Sequence, residues 1–433
     1  MRIKTLVIAS AMAVAAWPSL AQEAAPARIA EAAALRDLTL ADAWRLAEAA
    51  NPAIRAKQAE LASAEGVRTD ANALLFNNPE LAAERTRRDV PREGLPDERR
   101  QEWSASLQQT LEIAGQRGHR RDAADAAMTA LQEEIAEVRA QVRIEVAQQF
   151  YRILALQQRA EVEEQALGLF ESTATAVQKR RAAGEDTKLD ANVATVEAER
   201  ARNQLAVARE QLLDARSDLA AKLQLSPDRL PKAGGDLRPV ALAPYTLETL
   251  LGQSATQPRL RALGAREESA RARLKLENAA RYPDVTVGVA VGREGPTSAR
   301  ENLTTVRLSV PLPLFKRNAA GIGQASSALT QAEISRSAAL RDTQAQVRSL
   351  WSKLESLKAR VNRLQDRVLP ALLDNQQLSV KSQRAGQIGL LELIVVNRQA
   401  LDARRDLIDA LGDYQTTRLS LELAAGWMEG VLP

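Results

Sequence analysis

The stretch DVTVGVAVGR, residues 284–293, decides the fold because its side chains alternate without a break. A period of two predicts a β-strand whose successive side chains point to opposite faces. One face carries Val285, Val287, Val289 and Val291, and the other carries Thr286, Gly288, Ala290 and Gly292. At about nine residues, the strand has the length that a tilted strand needs to cross a bilayer. The period alone leaves open a soluble hairpin with one face on a core.

Three further segments alternate in the same way: 306–312, 103–108 and, more weakly, 80–86. Together they predict two β-hairpins, at 79–111 and 284–312. Four strands are too few to close a barrel, and a bilayer does not tolerate open strand edges. If the strands lie in a membrane, several chains must therefore contribute to one barrel, and three chains would give twelve strands.

The chain contains an internal duplication. Residues 39–56 return at 246–262, and later matches such as Gly184 with Gly386 and Leu219 with Leu421 keep nearly the same spacing. This internal duplication predicts a first repeat at 22–225, a linker rich in proline and glycine at 226–244, a second repeat at 245–426 and a tail at 427–433.

Long helices are predicted within each repeat. Residues 118–181 contain no proline, and their apolar residues recur every three or four positions, which indicates a rod of roughly 95 Å. Leu205, Leu212 and Leu219 keep the seven-residue spacing of a packed seam. The second repeat continues as helix over 319–369 and 390–425, with a bend or break expected at Pro370. The fold class is mainly α with a small β part.

The first residues have the order of a secretory signal. Arg2 and Lys4 precede an apolar run at 6–17, and cleavage is expected between Ala21 and Gln22, so that 1–21 is a signal peptide. The alternative is an uncleaved anchor, but the run is short for a membrane span. The chain has no cysteine, so no lipid is expected on the exported protein.

The composition argues against several other classes of protein. With one histidine and no cysteine, a single chain cannot build a zinc, copper or cobalt site from imidazole and sulfur, and we expect no cofactor and no enzyme activity. His119 could form a ring only in a trimer, and the simpler expectation is a solvated side chain. Acidic and basic residues are interleaved and the net charge is +4, which does not favour a nucleic-acid partner.

Three motifs resemble the TolC family of outer-membrane efflux factors, in particular the branch that serves cobalt–zinc–cadmium pumps. They are residues 71–80 ending in Asn78-Pro79-Glu80, residues 109–117 ending in Gly115-Gln116-Arg117, and residues 311–318 reading PLPLFKRN. The middle motif departs from the family's usual Gly-Lys-Arg. The resemblance covers about 38–426.

The resemblance implies a homotrimer with a long α-helical barrel in the periplasm and a twelve-stranded transmembrane β-barrel in the outer membrane. Its partners would be outer-membrane lipid, a periplasmic adaptor (membrane fusion) protein and an inner-membrane pump of the resistance–nodulation–division (RND) class. Its function would be an exit duct for heavy-metal cations, with loops 88–101 and 294–302 outside the cell. A drug-efflux or type I secretion duct of the same family is the runner-up, and a periplasmic coiled-coil scaffold without a pore is the alternative from another class.

The candidate functional residues lie mostly at two turns between long helices. Gly184 and Gly386 are expected to take positive φ there, and a carboxylate follows each six positions later, at Asp190 and Glu392. The resemblance implies that Glu392 contributes to a ring at the pore constriction, although the family's second ring position is Val395 here. The expected adaptor-docking residues are Arg181, Ala183, Gly184, Arg384, Ala385 and Gly386. Trp103 and Phe315 are candidate aromatic anchors at the membrane interface, with ordinary packing and helix capping as the alternatives.

Overall fold

The protein is described by a computed structural model that covers residues 37–226, 228, 230–238, 245–296 and 299–427. The predicted signal peptide, 1–21, lies outside the described residues, as do parts of the predicted linker and most of the predicted tail. No helix in the described ranges combines the length and apolar character that a membrane span requires.

The elements follow the same order in both halves of the chain. The first half contains α1 (Leu40–Ala50), α2 (Pro52–Asn72), β1 (Glu80–Arg92), β2 (Leu95–Leu111), α3 (Gln116–Ala182) and α4 (Lys188–Leu223). The second contains α5 (Leu247–Gln253), a 3₁₀ turn (Ser254–Thr256), α6 (Pro258–Ala279), β3 (Val285–Glu294), β4 (Glu301–Ser309), α7 (Ala319–Arg363), a π turn (Leu364–Val368), α8 (Leu369–Arg384) and α9 (Leu390–Ala425).

The longest rod is α3, whose 67 residues extend for about 100 Å at 1.5 Å per residue. Its predicted apolar stripe is buried at Ile135, Phe150 and Ile153. On α4, Leu205 and Leu219 of the predicted seam are also buried. Many other buried positions on these helices are alanines, which let the helix axes approach closely and explain why so few aromatic residues are needed.

The predicted irregularity at Pro370 takes the form of a π turn. Residues Leu364–Val368 form wider i→i+5 hydrogen bonds immediately before the proline, which occupies the first turn of α8. Proline is tolerated there because the first turn needs no donor, and the wide turn lets the rod continue with a local change of path.

The four strands form one antiparallel sheet in the order β1-β2-β3-β4. Both predicted hairpins are present, and β2 also pairs with β3, so the two repeats share a single sheet. This leaves β1 and β4 at its edges. The second hairpin ends at Ser309 rather than 312, because Pro311 cannot donate to a ladder.

Residues 88–101 do not form the loop that was expected there. The β1–β2 ladder continues through Arg88 opposite Arg100 and Asp89 opposite Arg99, and it closes in a tight turn at Gly94, whose φ is +76°. Asp89 lies 3.8 Å from Arg99 across the strands, so opposite charges support the ladder where the sequence resembles a polar loop.

One face of the sheet is apolar across all four strands. Leu81 pairs with Leu107, Leu107 with Val289, and Val289 with Val306, so the four side chains form one row. All four are exposed. In the described part of the chain no helix packs across the sheet, and the strands contact mainly one another. Within the described residues, therefore, neither hairpin rests on a core of this chain.

The helical body is held by separate clusters of buried side chains. The largest joins α1, α3, α4 and α9 around Phe150, Ile153 and Leu219. A smaller one lies where α4 and α9 begin and combines Phe170, Ala194 and Ile394. The rods are therefore fixed along their length, up to the end that carries the two predicted turns.

Candidate functional site

The two predicted turns have matching backbone geometry. Gly184 follows α3 with a φ of +82°, and Gly386 follows α8 with a φ of +71°, as expected. Each turn closes on the preceding helix: the Glu185 amide donates to the Arg180 carbonyl at 2.9 Å, and the Gln387 amide donates to the Ser382 carbonyl at 2.9 Å. These bonds satisfy carbonyls that the helix ends leave free. We call the two turns, 183–187 and 385–389, the helical tip.

The carboxylates six positions after the glycines cap the helices that follow. Asp190 accepts from the Thr187 amide at 3.2 Å, and the Thr187 hydroxyl accepts from the Asp190 amide at 3.1 Å, which makes a complete capping box. These hydrogen bonds, first from the Thr187 side chain, hold the pKa of Asp190 below its usual range. Glu392 accepts from the Gly389 amide, but Gly389 has no side chain to return the bond. The shared spacing therefore has a local structural reason.

Both carboxylates lie at the same end of the helical body. Ala191 and Leu390, next to the two helix starts, belong to one buried cluster with Phe170 and Val177 of α3. Glu392 is exposed, and so are its neighbours Leu391 and Val395. A second copy or the solvent is thus able to reach this carboxylate.

The six predicted docking residues are all exposed, in the helical tip or within two residues of it. They are Arg181, Ala183, Gly184, Arg384, Ala385 and Gly386. The structure assigns no ion pair to Arg181 or Arg384 within the described chain. Arg180 beside them does bond Asp186, at 2.8 Å, and this pair ties the first turn back to α3. The tip therefore presents small residues flanked by basic ones.

Sequence reasoning missed two buried ion pairs between the long helices that lead to the tip. Glu163 of α3 is 1% exposed and receives two hydrogen bonds from Arg405 of α9, at 2.8 and 2.5 Å. Arg159 donates a third at 2.8 Å. Burial raises the pKa of Glu163, but the bonds from the two arginines outweigh it and hold the pKa below its ordinary value.

The second pair joins α4 to α9. Arg398 donates to both carboxylate oxygens of buried Glu197, through Nε at 2.7 Å and through a second, shorter contact. Both pairs thus fasten the last helix of the second repeat to the long helices of the first. One signal was available: Glu163 stands three residues before Ala166, in the apolar series that continues through Phe170, where a charge is out of place.

The two aromatic candidates are both on the surface, away from the tip. Trp103, on the apolar face of β2, is 49% exposed, and Phe315, between β4 and α7, is 97% exposed. Packing within the chain therefore does not account for Phe315. His119 is half-buried, so its side chain is only partly solvated, and its Nδ1 atom is out of solvent with no hydrogen-bond partner among the described residues. Within the described ranges no cluster of three or more metal-ligating side chains occurs.

Comparison with known protein families identifies the family of this chain. The model of the outer membrane efflux protein family matches residues 43–223 and 253–427. The chain belongs to this family. The two matched segments fall one on each half of the repeated element order.

Among curated proteins, the chain is 27% identical over 394 residues to the cobalt-zinc-cadmium resistance protein CzcC of Cupriavidus metallidurans, and the match covers 90% of each. Among solved structures, it resembles the outer membrane protein VceC of Vibrio cholerae with a TM-score of 0.73 and 19% identity, covering 89% of this chain and 96% of that one. CusC, whose structures concern transmembrane channel formation, matches with a TM-score of 0.74 and 18% identity over 89% and 91%.

These findings confirm the resemblance that the three motifs predicted, including the branch to which CzcC belongs. They also confirm the fold class, because the similar solved structures share its long helices and small β part. They do not address the individual tip residues, whose roles remain predictions.

Proposed function

We propose that this chain is one of three identical subunits of an outer-membrane exit duct, which passes heavy-metal cations delivered by an adaptor and an RND pump. The observation that carries the proposal is the open four-stranded sheet, whose apolar face is exposed across all four strands. Such a face suits contact with lipid, because the outward face of a membrane β-barrel is apolar.

The free edges of the sheet supply the argument for oligomerisation. In a bilayer, each unpaired backbone group on β1 or β4 would cost several kcal/mol, so a single copy cannot stay open there. Pairing β4 of one copy with β1 of the next removes both edges. Three copies give twelve strands, and a barrel of that size leaves a lumen that the helices continue as a tube into the periplasm.

Disulfide cross-linking tests this assembly cleanly, because the chain has no cysteine of its own. Ala82→Cys in β1 is combined with single cysteines scanned along β4. We expect oxidation in outer-membrane fractions to link copies into dimers and trimers at some β4 positions, while a control pair on α3 and β4 gives none. A soluble monomer with no cross-links at any position would refute the proposal.

The cargo is assigned from the likeness to CzcC, whose name states cobalt, zinc and cadmium resistance. Deletion of the gene should lower tolerance to these cations, measured beside nickel, copper and a panel of dyes. Sensitivity to dyes alone would favour the drug-efflux alternative, and failure to export a polypeptide would favour type I secretion.

We propose that Glu392, with Asp190 nearby, lines the narrowest part of the tube at the helical tip. Three glutamates converging on an axis would repel anions and attract cations. Glu392→Gln removes the charge but keeps an oxygen that can accept from Gly389, whereas Glu392→Ala removes both. We expect both variants to lose cation preference in planar bilayers, and an unchanged reversal potential in Glu392→Gln would exclude the ring.

The adaptor is proposed to dock on the small exposed residues of the tip. Ala183→Trp and Ala385→Trp should abolish metal tolerance while the trimer still forms, because a bulky side chain blocks close helix contact. Ala206→Trp, at an exposed alanine in the middle of α4, is the matched control. Full tolerance in both tip variants would place docking elsewhere.

A further inference from the structure

Four segments join the strands to the helices: 73–79, 112–115, 280–284 and 310–318. Because the strands are antiparallel, β1 and β3 begin where β2 and β4 end, so all four segments meet at one end of the sheet. We call them the junction belt. The belt is the end of the sheet nearest the helical body.

The junction belt exposes large apolar side chains on every segment. Leu74, Phe76, Ile113, Tyr282, Leu312 and Phe315 are each at least 55% exposed. They lie in the segments directly next to the strands that carry the exposed apolar row. Such a concentration of exposed apolar groups marks a contact surface.

The exposed charges of the junction belt are all basic. Its two acidic residues, Glu112 and Asp284, are not exposed, and Glu112 is paired with Arg120. The exposed charges are Arg281, Lys316 and Arg317. Arg317 donates through Nε to the Pro313 carbonyl at 3.1 Å, and the structure gives Arg281 and Lys316 no carboxylate partner in the described chain.

The opposite end of the sheet has a different surface. There Asp89 lies 3.8 Å from both Arg87 and Arg99, so an acidic side chain is exposed among the basic ones. Among the described side chains at the two ends of the sheet, those of the junction belt combine exposed apolar groups with basic groups that have no carboxylate partner.

We propose that the junction belt binds anionic phospholipid headgroups of the periplasmic leaflet, through Arg281, Lys316 and Arg317, while Phe315 and its apolar neighbours contact the acyl chains. This inference rests on the proposed function, which puts the sheet in the outer membrane. Guanidinium and ammonium groups donate charge-assisted hydrogen bonds to phosphate oxygens. A basic side chain near an anionic surface favours binding by about five-fold.

Lipid selection tests the proposal with the full trimer. The wild type, the triple variant Arg281→Gln/Lys316→Gln/Arg317→Gln and a control triple variant Arg85→Gln/Arg87→Gln/Arg99→Gln are reconstituted in vesicles of equal parts phosphatidylglycerol and phosphatidylethanolamine. They are then extracted in mild detergent, and the retained lipid is measured by mass spectrometry. We expect at least about five-fold enrichment of phosphatidylglycerol on the wild type and the control variant, and none on the junction variant.

A conservative substitution provides a second measurement that does not depend on losing charge. In Phe315→Trp, the fluorescence added over the wild type should be quenched more by brominated phosphatidylglycerol than by brominated phosphatidylethanolamine. The inference is overturned if all three proteins retain the two lipids in equal ratios. It is also overturned if neither lipid quenches the fluorescence, because a neighbouring copy would then cover the belt. If these trimers still conduct in planar bilayers, the duct itself stands; absence of both trimer and conductance would sink the proposed function instead.

Discussion

The buried pair between Glu163 and Arg405 yields the sharpest prediction on how the helices are held together. Arg405 is the main partner of a carboxylate that is only 1% exposed, and it donates to Gln204 of α4 as well, at 2.8 Å. Arg405→Met removes both contacts, together with an ion pair to the exposed Asp402, and leaves Glu163 with Arg159 alone. The long methionine side chain keeps most of the volume, so the change tests charge rather than a cavity.

The expected cost follows from the burial of Glu163. Breaking a buried ion pair by removing one partner costs about 3–5 kcal/mol, because a charge is left in a poorly solvated place. Since Arg159 still donates one hydrogen bond, we expect about 3 kcal/mol for Arg405→Met. The double variant Glu163→Leu/Arg405→Met removes the stranded charge, and it should recover to within about 1 kcal/mol of the wild type.

A surface pair between α3 and α4 provides the control. Arg202 of α4 bonds Glu171 of α3 at 2.6 Å, but their side chains are 54% and 45% exposed. Solvent screens such a pair, so Arg202→Gln should lower the free energy of unfolding far less than Arg405→Met does.

Denaturant unfolding of the detergent-solubilised protein, followed by helical circular dichroism, gives the ranking of the variants. Hydrogen exchange of the peptide spanning 398–410 adds a local readout that does not require reversible global unfolding. The reasoning fails if the double variant loses as much as Arg405→Met. It fails equally if Arg405→Met loses no more than Arg202→Gln.

Three further predictions follow from single contacts. Gly184→Ala and Gly386→Ala should each destabilise the tip by about 1–2 kcal/mol, seen as faster local hydrogen exchange, because alanine is strained at positive φ although no atom blocks its Cβ. Since the pKa of Glu163 is lowered, its ion pair stabilises the fold at pH values above the ordinary glutamate pKa of about 4.3, and this stabilisation is lost as the pH falls below that value. The free energy of unfolding, measured against pH, should therefore fall in the wild type and fall less in Glu163→Gln. Tyr245→Phe should cost about 1–3 kcal/mol in denaturant unfolding, because the Tyr245 hydroxyl donates to buried Glu422 at 3.1 Å.

Features that depend on a few neighbouring residues were predictable from the sequence. Gly386 takes its expected positive φ, and α9 spans the expected 390–425, because turn glycines and helical periodicity are local signals. The pairing of β2 with β3 was not anticipated as a separate step, since it joins strands almost 180 residues apart in sequence. The continuation of the first hairpin's ladder through 88–101 was missed because cross-strand charge pairs such as Asp89 with Arg99 become visible only once the register is known.

The backbone turns of the candidate site were predictable, but the ion pairs that join its helices were not. The turns and their carboxylates repeat in the sequence, so comparison of the two halves finds them. Glu197 and Arg398 give no such signal, because each is an ordinary charge until the two helices are brought side by side. Prediction from periodicity therefore finds the rods and the tip, while the fastening between the rods requires the three-dimensional arrangement.

The ion pair between Glu197 and Arg398 has no counterpart at the equivalent positions of the other repeat, and this bears on how the proposed trimer opens. If the two repeats alternate around the tube, the second repeat of one copy meets the first repeat of the next through surfaces equivalent to those that meet inside a chain. At the 202-residue offset of Gly184 and Gly386, the equivalent of Glu197 is Gln399 and that of Arg398 is Val196. The seam between copies then has glutamine and valine where the seam within a chain has a buried ion pair, so the seam within the chain should hold more firmly.

We therefore expect the tip to open by separation of whole chains, and spin labels at the tip should report distances between copies that change more than distances within one copy. An opening that widens mainly the seam inside each chain would show that the ion pairs do not decide where the tube parts.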